Sequence, residues 1–363
     1  MKRSFRLSEF TSLDDVAEWT TAGPSDDVEL KITAASGFAP TVEGVALGAL
    51  QQLVQRGGVT TSCSVNPAKA PKLFESLFGL SLALASRVIT APECGDLKSA
   101  TAERLWRAVL QSRGQIGTGN HVSIVFRDPD YWLPQCLRSP EGQFPKRDLF
   151  RSVLEEAARG MGFQRSFSNT EDDVITFLYE ASQNSYDHGR VGADGRAVTG
   201  VRGVLLDRVT VKSQVELESR RDLSEFQRAY IQRATSITSG PSIFFAFTVA
   251  DLGAGIHNTL PAVPGESSWD RLNRAFSAGE TRKPRGAGLE AGQGLAKLHG
   301  SARRLRALLF VKSADLSGHI DFSMEGENHL LVQNPKSLGS TGTSLTLMWP
   351  ASTTGGDQAS LFE

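Results

Sequence analysis

An acid, an amide and an imidazole recur at intervals of four in one short stretch. They are Glu180, Asn184 and His188, within Glu180-Ala-Ser-Gln-Asn-Ser-Tyr-Asp-His-Gly189. On an α-helix, residues four apart share a face, so the three would stack, with Asp187 beside them. Packing alone explains such a stack poorly. Asn is a weak residue in a helix interior because its side chain competes for backbone hydrogen bonds. A carboxylate can orient a water molecule, and an amide oxygen suits a hard cation such as Mg²⁺. The competing reading is a solvated helix face closed by Gly189.

Three further clusters follow. Asp251-Leu-Gly253-Ala-Gly255-Ile256 comes directly after the apolar run 242–250. A carboxylate at the end of a buried strand is costly without a partner, and the exocyclic amine of a purine is a suitable donor. Two glycines let backbone approach a base or phosphate closely, although an ordinary strand-to-loop turn also accounts for them. Arg282, Lys283 and Arg285 lead through Gly286 and Gly288 to Leu289 and a predicted helix. Free N–H groups at a helix start favour anions, and the basic residues could neutralise phosphate; the alternative is a charged surface loop. Last, Gly342-Thr343 opens a terminal strand, as a ligand contact or as a plain hairpin turn.

In order and spacing, these clusters resemble the boxes of the GHKL ATPase superfamily, which includes gyrase B subunits, heat-shock chaperones, histidine kinases, anti-sigma-factor kinases and mismatch-repair ATPases. Glu180, Asn184 and His188 are similar to its N box, in the E-A-x-x-N-x-x-x-H-G form of anti-sigma kinases. Asp251–Ile256 resembles the DxGxG box, Gly286–Leu289 the start of the next glycine box, and Gly342–Thr343 the last. The resemblance spans about residues 150–350 and implies ATP and Mg²⁺ as ligands. Glu180 would be the general base, and Asn184 would hold the metal. Asp251 would accept the adenine amine, with Gly253, Gly255, Ile256 and Thr343 shaping that pocket. Arg282, Lys283, Gly286, Gly288 and Leu289 would attend the phosphates, and Asp187 and His188 would line the site. Two departures stand out. The phosphate region reads Gly286-Ala-Gly288-Leu-Glu-Ala-Gly292-Gln-Gly294 rather than a compact GxGxGL, which leaves open which glycines touch phosphate. Residues 213–238 read as a charged insertion carrying an exposed helix, packed on the first domain or turned to a partner.

The elements that must hold these residues follow from periodicity. Before residue 145 the pattern alternates: strand 28–34, helix 41–56, strand 59–65, helix 71–87, helix 100–112 and strand 121–126. This reads as a small α/β module over 1–145, loosely similar to STAS-like domains, with the turn-rich segment 140–145 as its boundary and Tyr131 and Trp132 as an interface plug. Helices at 148–160 and 172–188, strands at 203–211 and 242–250, helices at 269–277 and 289–304, and strands at 307–312, 319–323 with 329–332, and 344–348 follow, before a polar tail at 351–363. The fold class is therefore α/β. The resemblance implies a Bergerat-fold α/β sandwich over 146–350, a mixed sheet with helices on one face.

Composition narrows the classes. Lys and Arg number 39 against 40 Asp and Glu, so no basic excess points to direct nucleic-acid binding. No apolar run reaches the ~18 residues of a membrane span. Cys63, Cys94 and Cys136 lie far apart and read as reduced thiols of a cytoplasmic protein. Nine of the 35 glycines fall in residues 251–300, where the proposed nucleotide contacts cluster, so the glycine excess is not an interdomain linker. The expected function is a slow, Mg²⁺-dependent ATPase whose conformational change regulates a protein partner through the first module, in bacterial regulation or defence. The alternatives are an anti-sigma or histidine-kinase-like protein kinase, for which no upstream phospho-acceptor His is evident, and a non-hydrolysing ATP sensor. A second copy of the chain is a candidate partner.

Overall fold

The computed structural model describes residues 1–8, 10–33, 38–67, 72–111, 115–117, 120–128, 144–159, 161, 170–235, 241–276, 294–324, 331–334 and 338–351. Two sheets organise them. Sheet I has the order β1 (Lys2–Leu7), β2 (Asp27–Ile32), β3 (Val59–Cys63), β4 (Ser86–Ala91) and β5 (Gly95–Asp96). Its first four strands are parallel, and β5 returns antiparallel. The connections are α1 (Leu13–Trp19), α2 (Pro40–Arg56) and α3 (Leu77–Ala85), with α4 (Lys98–Gln111) following β5.

Sheet II begins with β6 (Gln115–Ile116) and β7 (His121–Asp128). Then come α5 (Arg147–Arg159), α6 (Glu171–His188), β8 (Gly200–Val211), α7 (Gln214–Ser219), α8 (Glu225–Thr235) and β9 (Ser242–Ala250). The chain continues through α9 (Ile256–Thr259), α10 (Ser268–Ala275), α11 (Gly294–Arg304), β10 (Leu308–Ser313), β11 (Leu316–Asp321), β12 (Val332–Gln333) and β13 (Thr343–Pro350). The spatial order is β12-β11-β10-β13-β9-β8-β7-β6, and every pair is antiparallel.

Period-two alternation explains how sheet II serves two cores. On β9, Phe244 and Ala246 point to one core while Phe245, Phe247 and Val249 point to the other. On β8, Leu205 and Val209 oppose Val204 and Leu206 in the same way. The first core lies between the sheets. There Val42, Val45, Leu50 and Leu53 of α2 and Leu77 and Phe78 of α3 meet Leu30 of sheet I and Phe244, Phe310 and Met348 of sheet II. The second core packs Phe150 and Leu154 of α5, Phe177 and Leu178 of α6 and Leu298 of α11 onto Phe247, Leu309 and Leu347. The layers run sheet, helices, sheet, helices.

The architecture is thus mixed α/β, as the sequence indicates, with several corrections. Sheet II is antiparallel rather than mixed, and helices cover both its faces rather than one. Strand β7 pairs with β8 along its whole length, so it belongs to sheet II and the sheets part before residue 115, not at 145. The helix expected over 71–87 is a short 3₁₀ turn, Lys72–Glu75, then α3, and its last residues become β4. Ser76 makes that break by capping the Gly79 N–H. Strand β1 and helix α1 escape the sequence pattern. The described part of the insertion, 213–235, holds two helices, α7 and α8, that bury Leu217, Tyr230 and Ile231 in the first core. Tyr131, Trp132, Cys136 and residues 352–363 lie outside the described residues. Among those described, no helix is long and apolar enough to cross a membrane.

Candidate functional site

Helix α6 starts with an acidic first turn, Glu171, Asp172 and Asp173, which suits the positive end of its dipole. Val174, Phe177, Leu178, Ala181 and Ser185 bury one face. Glu180, Asn184, Asp187 and His188 are left half-buried on the helix, as the four-residue spacing requires. The helix ends where the Gly189 N–H bonds the Ser185 carbonyl at 2.8 Å.

Glu180 and Asn184 face the first turn of α11. A Cβ on Gly294 would lie 3.0 Å from Glu180 Oε2 and 3.3 Å from Asn184 Nδ2, so the glycine sets the close approach. One turn on, Lys297 Nζ pairs with Glu180 Oε1 at 3.3 Å. Asn184 offers an amide oxygen there. Among the described residues no three His, Cys, Asp or Glu side chains gather as a metal cage. A single amide ligand fits Mg²⁺, which keeps several waters and takes its remaining oxygens from substrate phosphates.

The other end of α6 meets β9 and the turn that follows it. Asp251, at the end of β9, is buried, with 7 % of its surface exposed. Its Oδ1 accepts the Gly253 N–H at 2.9 Å and the Thr343 N–H at 3.1 Å. Among the described residues, its Oδ2 accepts no hydrogen bond. Burial pushes the carboxyl above its ordinary range, against those two N–H donors and the positive charges of Arg202 and Lys312.

Two glycines bring this turn onto α6. A Cβ on Gly189 would sit 2.6 Å from Asp251 Cβ and Cγ, and one on Gly253 would sit 2.7 Å from the Gly189 Cα. Gly255 adopts φ of 88°, and Gly342, just before Thr343, adopts 80°. Both are left-handed conformations that disfavour any side chain. The Gly342 N–H closes the turn by donating to the Gly253 carbonyl at 2.9 Å. Ile256 opens α9 and packs against the second core.

The structure therefore gathers Asp251, Gly253, Gly255, Ile256 and Thr343 at one place. His188 is on the adjoining end of α6, and Asn184 and Glu180 stand about 6 and 12 Å back along the helix at ~1.5 Å per residue. Arg282, Lys283, Gly286, Gly288 and Leu289 lie outside the described residues. The chain matches no protein-family model, and no curated protein is significantly similar to it. The site rests on its own residues.

Two residues that surround it, Arg202 and Lys312, were not anticipated, and Gly294, one of the glycines of the expected phosphate region, joins them. Arg202 of β8 is buried and lies over the Tyr186 ring, 5.7 Å from its centroid. Lys312 of β10 is buried and donates to the Thr341 and Gly342 carbonyls. Gly294 fits α11 against α6. A sequence signal existed for the two cations, since each interrupts an apolar strand, in Gly-Val-Arg-Gly-Val and Leu-Leu-Phe-Val-Lys.

Proposed function

We propose that the chain binds ATP with Mg²⁺ and hydrolyses it slowly, as a GHKL-type ATPase, with the nucleotide state regulating a protein partner in the cytoplasm. The observation that carries this reading is the buried Asp251 carboxylate. Two backbone donors hold one oxygen, and the other accepts nothing from the described residues. An acceptor fixed in this way, in a cradle formed by Gly189, Gly253, Gly255 and Gly342, fits the amine edge of adenine. The finer architecture belongs to the same reading: α6 and α11 on β9, β13 and β10 would form a Bergerat-type sandwich, followed after residue 351 by a tail.

In that reading Asp251 orients the base, Thr343 supports it, and the Asn184 amide oxygen faces the metal. Bound Mg²⁺ neutralises phosphate charge. Glu180 would hold the attacking water, and the contribution of the chain would be positioning and electrostatics.

One observation favours a second reading, an ATP sensor without turnover. Glu180 is already paired with Lys297. A carboxylate held by an ammonium must release or share it before it orients a water.

The test uses γ-labelled ATP and calorimetric binding. Glu180→Ala should abolish phosphate release with binding unchanged. Asp251→Asn should weaken binding itself by at least tenfold, because an amide offers the adenine amine a weaker or reversed partner. Equal turnover in Glu180→Ala and wild type removes Glu180 as the base. Binding without released phosphate selects the sensor, and label on a partner selects a kinase.

A further inference from the structure

Helix α2 belongs to the first module, yet it lies against the back of the candidate site. It presents two glycines four residues apart, Gly44 and Gly48, to sheet II. A Cβ on Gly48 would overlap the Thr341 carbonyl oxygen and come within 2.8 Å of Lys312 Nζ. The contact is also polar, since the Thr341 hydroxyl donates to the Gly48 carbonyl at 3.3 Å.

From there the contacts lead to Asp251 without a gap. Lys312 donates to the Thr341 carbonyl and, at 3.3 Å, to the Gly342 carbonyl. The next N–H groups of this turn donate to Gly253 O at 2.9 Å and to Asp251 Oδ1 at 3.1 Å. The turn that supports Asp251 on one side is held by a buried ammonium on the other, and α2 closes over that ammonium.

We propose that Lys312 is a positioning residue for the Asp251 pocket and that α2 sets its position, so that the first module tunes nucleotide affinity. This rests on the nucleotide reading above and names the regulation of that site. The coupling is mechanical and electrostatic. Moving α2 shifts the Thr341 carbonyl, which is backbone and cannot rotate away. It also alters how completely Lys312 is shielded from water. Burial lowers the Lys312 amine to about 7, against the attraction of Asp251 and Asp315, the two carboxylates that face it. An amine so placed changes charge on a small change in its surroundings. Because coupling is reciprocal, bound nucleotide holds α2 in turn.

Gly44 supplies the control. Its Cβ would meet the Ser344 hydroxyl and, at 3.0 Å, the Thr248 methyl, not Lys312 or the 341–343 turn. The experiment measures ATP affinity, turnover at saturation and thermal stability for the full chain and three variants. Gly48→Ala and Lys312→Met should each weaken ATP affinity about tenfold, with saturated turnover within twofold of wild type, because Glu180 and Asn184 on α6 are untouched. Gly44→Ala should lose stability with unchanged affinity. Lys312→Met decides the matter should Gly48→Ala fail to fold. Unchanged affinity in Lys312→Met overturns the inference, as does an equal loss of affinity in Gly44→Ala and Gly48→Ala. Wild-type protein that binds no ATP overturns the nucleotide reading as well.

Discussion

At the scale of single residues, the candidate site is defined by side chains that are missing as much as by those present. Gly189 and Gly253 stand back to back, and their lack of Cβ atoms lets α6 touch the Asp251 turn. Gly189 has φ of −75°, which alanine tolerates well, so backbone freedom does not require glycine there. Space does. Gly189→Ala should therefore destabilise the fold by about 1–3 kcal/mol through overpacking, and it should weaken nucleotide binding by displacing Asp251. Thermal melts and calorimetry check both; unchanged affinity would mean that the Gly189 contact does not fix Asp251. The spacing of Glu180, Asn184 and His188 was readable because a helix turns four-residue intervals into a face. Lys312 and Arg202 show in the sequence only as breaks in apolar strands, and their roles were not readable, because the groups that justify a buried cation come from segments distant in the chain.

At the scale of elements, a cluster of charge fastens sheet II to the helices of the first module. His121 of β7 bonds Asp207 of β8 through Nδ1 at 2.6 Å, and its Nε2 lies 3.6 Å from Glu43 of α2 and 3.2 Å from the Ser123 hydroxyl. Glu43 in turn accepts the Phe78 N–H of α3 at 3.0 Å. Burial disfavours the imidazolium and Lys72 repels it, yet Asp207 and Glu43 outweigh both and raise His121 from 6.5 to about 9. A raised folded-state value means that the stabilisation is complete below the unfolded value and is lost as pH rises through the folded one. The protein should lose on the order of 3 kcal/mol of stability from about pH 6.5 to 9, and His121→Gln should flatten that slope. Denaturant titrations across this range measure it, and parallel slopes would remove His121 as the cause. The strand itself was visible in its apolar alternation, and so were α2, α6 and β9. Its membership of sheet II was not, because local pattern carries no information about a pairing partner far along the chain. For the same reason β4 merged with the apolar run of α3.

At the scale of the whole molecule, the helical layer between the sheets binds the two halves into one folding unit. A fragment of residues 146–350 keeps Tyr230 against Phe244 and Phe226 against Phe310, but it loses α2 and α3, which pack on β8, β9 and β13 beside Leu205, Val209 and Met348, and it leaves β8 an unpaired edge. Each large apolar side chain of this kind contributes roughly 1.5–3 kcal/mol by burial, so their exposure costs an amount comparable with the whole stability of an ordinary domain. The fragment should aggregate or bind a hydrophobic dye, and the full chain should melt in one calorimetric transition. A soluble fragment with a cooperative melt would show that the halves fold independently. The same layering governs synthesis. Helix α2 is made early but packs on β13, roughly 300 residues later, a wait of about 15–60 s at ~5–20 residues per second. For that interval the emerging chain carries an apolar helical surface with no cover, a natural client for a holding chaperone. The Asp251 turn is also assembled late, since Thr343 arrives with β13: a chain released before that strand has neither the backbone donor to Asp251 nor a closed core.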